Sequence, residues 1–128
     1  MTNKSLIIVA LLGLLLLASC DGTENEPVSF SEQILPIFMT RCISCHSSEA
    51  SFNNNLDLSS YESLMSGNNY HPEHLVVAGY PDQSLLYEAV ANDKQTVLDY
   101  RMPKDGPYLS EFNIQLIYDW IYQGAKDN

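Results

Sequence analysis

Positive charge is the scarcest commodity in this chain of 128 residues: six Lys and Arg stand against sixteen Asp and Glu, a formal net charge of −10. Nucleic acid is a poor match for such a surface, because phosphate neutralisation needs Lys and Arg. A protein partner with a basic docking face fits better. Cysteine is also scarce. Cys20, Cys42 and Cys45 are the three present, too few for a disulfide framework. The last two close too small a loop for a disulfide between them to contribute much. No apolar run reaches the roughly 18 residues that a spanning helix needs. No stretch alternates apolar and polar residues as a half-buried strand does, and no internal repeat is visible.

The amino terminus has the order of an export signal. Asn3 and Lys4 precede an apolar run from Leu6 to Leu17, and small residues lead to Cys20. Leu17-Ala18-Ser19-Cys20 resembles the lipobox of bacterial lipoproteins. The resemblance implies cleavage before Cys20 and lipid on its sulfur and on the new amino terminus. Several acyl chains anchor stably, since each buried CH₂ contributes about 0.8 kcal/mol. The expected organisation is a signal peptide over 1–19, an acidic tether over 20–28 and one domain over 29–128. Loss of Lys4 leaves five cations against sixteen anions, about −11. Asp21 to Val28 is polar and aperiodic, and extended it reaches roughly 25–30 Å.

Within the domain the pattern is helical. Ser29 and Glu32 have capping-box spacing, and Ile34, Leu35, Ile37 and Phe38 follow as an apolar face. Pro36 predicts a kink or a late start, with the helix running toward Arg41. Ser59 and Glu62 repeat the spacing, predicting a short helix over Tyr61 to Ser66 that stops at Gly67. A loop is expected through His71, Pro72, His74, Gly79 and Pro81. Leu85, Leu86, Ala89 and Val90 mark a third helix beginning near Asp82. Ser110 caps a last one, with Phe112, Leu116, Trp120 and Ile121 as its stripe, Ile117 beside them and Gly124 as its stop. The fold class is all-α, about four helices with long loops. Loops that long in a small domain imply that something other than chain fills the centre.

Cys42-Ile43-Ser44-Cys45-His46 is C-x-x-C-H, the signature of c-type haem attachment. Residues at i, i+3 and i+4 share a face of a helical turn. Two thioether bonds from Cys42 and Cys45 and an imidazole from His46 to iron are thus available from one turn. Other chemistry uses the same residues. Zinc needs two more ligands, and His71 and His74 lie much farther along than the about 12–15 residues of common fingers. A thiol oxidoreductase needs a βαβ setting that the pattern lacks. One covalent haem is the preferred reading. For the sixth iron position Met102 is the best placed, in a loop before the last helix. Pro103 biases it to extended backbone. His71 and His74 are the alternatives, Met39 lies too near the motif, and Met65 is expected in the core.

The segments ILPIFMTRCISCH, NLDLSSYESLMSG, VVAGYPDQSLLYEAV, RMPKDGPYLS and IYDWIYQGA together resemble the planctomycete-type cytochrome c domain, a class I-like family. The resemblance runs from about Phe30 to Ala125. It implies thioether attachment at Cys42 and Cys45, proximal His46, distal Met102, and helices wrapped around one haem. It also implies a first and a last helix crossing beside the haem edge, with Trp120 and Phe112 in that packing. Two segments depart from the family: Ala78-Gly79-Tyr80 replaces a frequent Pro-Gly-Asp, and Lys104 stands where a second Pro is common.

The function expected is one-electron transfer by a lipid-anchored carrier, on the periplasmic side of a bacterial membrane or at the cell surface. No nucleophile or acid–base pair flanks the motif. Asp99, Asp105 and Glu111 read as solvated carboxylates, and no catalysis of the chain's own is expected. A haem-bearing accessory subunit of a dehydrogenase or sugar-degrading complex is the alternative, and a haem sensor with an open sixth site a further one.

Overall fold

The computed structural model describes residues 26–50, 55–66, 72–91, 101–104 and 106–128. The signal segment, Cys20, Gly67 and His71 lie outside the described residues. Among those described, every regular element is helical.

The chain enters through a π-helical turn, Phe30–Ile34, that runs straight into helix α1, Leu35–Arg41. Ser29 is the cap, its hydroxyl accepting from Glu32 N–H at 3.2 Å. The reciprocal bond of a capping box does not come from Glu32. Gln33 Oε1 takes the Ser29 N–H at 2.8 Å instead. The wide turn explains the shift, since Ile34 N–H reaches back five residues to Ser29 O. It also settles Pro36, which falls in the first turn of α1, where a missing N–H costs nothing.

Helix α2, Tyr61–Met65, begins where the sequence predicts but with a different cap. Its cap is Ser60, accepting from Ser63 N–H at 3.0 Å. Ser59 is engaged with Asp57 instead: its side chain bonds that carboxyl and holds it below its ordinary pKa, and its N–H donates to Asp57 Oδ1 at 2.9 Å. Met65 corrects a second expectation: it is exposed, and Leu64 is the residue that α2 buries.

A short helix, α3, Pro72–Leu75, occupies part of the segment expected as loop. Leu75 is buried, and one apolar residue in a single turn leaves no periodic signal. A 3₁₀ turn, Pro81–Gln83, then precedes α4, Leu85–Val90, which buries Leu86 and Val90. Helix α5, Glu111–Tyr122, is capped by Ser110 as its sequence predicts. It ends in a Schellman arrangement. Gly124, at φ +102°, donates to Ile121 O, and Ala125 donates to Trp120 O.

The core forms where the two ends of the chain meet. Phe30 and Trp120 pack with ring centroids 5.4 Å apart, and Tyr61 sits edge-on to Phe30 at 5.2 Å. Tyr61 Oη donates to Ala125 O, and Trp120 Nε1 donates to Lys126 O, both at 2.9 Å. Val28 N–H and Ser31 N–H reach Gln123 Oε1 and Asn128 O across more than ninety residues of sequence. The crossing of first and last elements is therefore present with Trp120 in it, but without Phe112. That ring is 71% exposed, because α5 turns Ile117, Trp120 and Ile121 inward. On the other side Tyr87 of α4 packs edge-on against Tyr118 of α5, and Gly79 N–H donates to Ile121 O at 2.7 Å.

Candidate functional site

Helix α1 delivers the C-x-x-C-H segment as a continuation of its own last turn. Cys42 N–H and Ile43 N–H both bond to Phe38 O, at 2.8 and 3.1 Å. Phe38 is buried, so the start of the motif is fixed to the core through its backbone. The next turn closes on Cys42 O, which accepts from Cys45 N–H at 3.1 Å and from His46 N–H at 2.9 Å. Cys45 and His46 thus both donate to Cys42 O, so the three residues lie on one hydrogen-bonded turn, as their spacing predicts. His46 O in turn accepts from Leu58 N–H at 3.0 Å, which ties the segment before α2 to the motif.

The two thiols are free but differ in setting: Cys42 is half-buried against the core and Cys45 is exposed. Burial pushes the Cys42 thiol up to about 11, with Arg41 opposing and Cys45 adding to the shift. His46 is half-buried. Its Nδ1 is buried without a hydrogen bond, although the residue as a whole is partnered.

Met102 lies in the segment between α4 and α5. Its side chain is half-buried and packs against the core, and its N–H bonds to Ala89 O of α4 at 2.7 Å. The Met102–Pro103 peptide is cis, as is Gly106–Pro107. Met39 and Met65 are both exposed, and His74 is exposed on α3. The Met102 segment is brought to the C-x-x-C-H helix by a side chain that the motif reading passed over. Arg41 Nη2 donates to Pro107 O. Arg101 also escaped it: its Nε donates to Val90 O at 2.8 Å, and its guanidinium lies 4.5 Å from the Tyr108 ring centre. A signal was there to read, since these are the two arginines of the chain and each immediately precedes a candidate haem residue.

Two thiols and an imidazole on one turn at the end of a helix, with only helical elements among the described residues, are the arrangement that c-type haem attachment uses. Residues 42–106, just over half of the chain, match the family model of planctomycete cytochrome C, and the protein belongs to that family. No curated protein and no solved structure matches it. Membership implies haem c, and the residues present fit it. Both cysteines are unpaired thiols, as thioether formation requires, and the imidazole follows them on the same turn.

Proposed function

We propose that the protein is a mono-haem electron carrier of the c type, anchored by lipid to the outer side of a bacterial membrane. The observation that carries this reading is the 42–46 turn, with both thiols open and family membership across the same segment. Cys42 and Cys45 hold the haem covalently, His46 is the proximal iron ligand and Met102 the distal one. A haem so held supplies one-electron chemistry, cycling between ferric and ferrous iron. The helices and long loops wrap it, in a small class I-like fold. The burial of the Met102 side chain against the core, and its pinned backbone, favour it over Met39, Met65 and His74.

The chain's residues supply position and enclosure, not acid–base catalysis. With an imidazole and a thioether on iron no substrate position remains, which is what a carrier needs. The acidic surface suits a redox partner with a basic face. Cys20 carries the lipid, and the acidic segment behind it is the tether.

The test is spectroscopic. Haem should remain on the polypeptide through denaturing electrophoresis and acid–acetone extraction. The ferric protein should show the weak sulfur-to-iron charge-transfer band, and Met102→Ala should abolish it. Haem extracted from the wild-type chain would refute covalent attachment. A band surviving Met102→Ala would assign the ligand to another methionine.

A further inference from the structure

The segment from Arg101 to Tyr108 is held at both ends. At its start, Met102 N–H bonds to Ala89 O at 2.7 Å and Arg101 Nε to Val90 O at 2.8 Å, both carbonyls of α4. At its end, Arg41 of α1 donates to Pro107 O, and Leu109 is buried. The ends are joined to each other, since the Arg101 guanidinium lies over the Tyr108 ring at 4.5 Å. Gly106 N–H closes a turn onto Pro103 O at 3.0 Å inside the loop. Its closed base matches a compact surface loop packed by its own side chains.

We propose that Arg41 and Arg101 are positioning residues, a two-point clasp that holds the Met102 loop to α1 at one end and to α4 at the other and so sets how often the sixth iron position opens. This rests on the assignment of Met102 as distal ligand. The chain has two arginines, and each stands at one end of the loop. Arg101 joins its start to Val90 O of α4 and to the Tyr108 ring, and Arg41 joins its end to α1 through Pro107 O. Arginine suits this use better than lysine. Its flat fork donates to a carbonyl and stacks on a ring at the same time.

The consequence is a population effect. Met102 can leave the iron only if its loop moves, and the loop moves only if the clasp lets go. An added ligand such as imidazole competes for the open fraction, so its apparent affinity scales with that fraction. Removing Arg101 deletes the carbonyl bond and the ring contact together. The open fraction should rise about tenfold, and apparent imidazole affinity with it.

The experiment titrates imidazole into the ferric, haem-loaded full chain. Arg101→Gln should bind about tenfold more tightly than wild type. Arg101→Lys should recover part of the difference, because an ammonium still reaches Val90 O but offers no plane to Tyr108. Tyr108→Leu should shift affinity the same way with no change of charge, and it carries the test should Arg101→Gln not fold. Arg41→Gln should act similarly from the other end. Lys126→Gln removes a positive charge elsewhere and should leave the affinity alone. A purely structural role would lower thermal stability without moving imidazole affinity well below the unfolding temperature. Wild-type affinity in both Arg101→Gln and Tyr108→Leu, with the sulfur-to-iron band present and lost in Met102→Ala, would overturn the clasp and leave Met102 standing. A wild-type protein lacking that band would remove the Met102 assignment and the clasp together.

Discussion

Among the described residues Ser84 is the one polar residue in the fully buried set, and its replacement by alanine tests how the α4 side of the fold is held. Its hydroxyl sits inside the turn that leads from α3 into α4. There it accepts from Val77 N–H at 2.9 Å and donates to Tyr80 O, also at 2.9 Å. The two partners fare differently when the hydroxyl goes. Tyr80 O keeps Gln83 N–H at 3.1 Å, so its loss counts for little. Val77 N–H has Ser84 Oγ as its acceptor and would be left without one. Orphaning a buried N–H costs about 1–3 kcal/mol; Val77 is half-buried, so Ser84→Ala should destabilise by about 1 kcal/mol, the low end of that range. For a folded region of about 100 residues that lowers Tm by roughly 4–8 °C. The assay is thermal unfolding of the haem-loaded protein followed by far-ultraviolet circular dichroism, with denaturant titration as a second measure. The native absorbance spectrum should not change, because the Ser84 side-chain bonds go to the 77–80 turn and not to the 42–46 turn. A loss below about 0.5 kcal/mol, the range of ordinary surface substitutions, would refute the reasoning.

Two further predictions concern the cysteines. In protein made without haem, burial holds the Cys42 thiol near 11 against an ordinary 9.0. Its thiolate fraction at pH 8 is then about a hundredfold below that of an unperturbed thiol, and alkylation should slow to match. Because the folded value is the higher one, this thiol's contribution to stability is complete below pH 9 and is lost as pH rises toward 11. Peptide mass spectrometry of alkylated protein across pH checks it, and a Cys42 profile that levels off near pH 9 would contradict it. Cys20→Ser should move the protein from the membrane fraction to the soluble one with its haem spectrum unchanged. Wild-type protein found wholly soluble with an unmodified amino terminus would count against the anchor.

Local signals were legible where chemistry acts within a few residues. Ser29 and Ser110 cap their helices, and the C-x-x-C-H spacing does produce one hydrogen-bonded turn. What escaped depended on contacts the spacing does not encode. Ser59 and Glu62 fit the capping-box pattern while Ser60 and Ser63 do not, yet Ser60 is the cap because Ser59 is engaged with Asp57. Gln33 replaces Glu32 as the reciprocal cap because a π-helical turn adds a residue to the repeat. Phe112 and Met65 look like core by composition, yet tertiary packing faces the helix stripes elsewhere. The arginine contacts, Arg41 to Pro107 and Arg101 to Tyr108, join positions that nothing local connects.

The meeting of the two chain ends has a consequence for timing. Trp120, Ile121 and Ala125 are core residues, and Phe30 and Tyr61 have no completed packing until they arrive. The helices that precede them are α1 at seven residues, α2 at five and α4 at six. Helices of that length do not persist alone in water. That core therefore cannot close until Trp120 to Ala125 have joined it. Until then Cys42 lies in extended, solvated chain, with the thiol chemistry of an ordinary cysteine instead of a buried one. The attachment turn thus stays accessible until those residues complete the core.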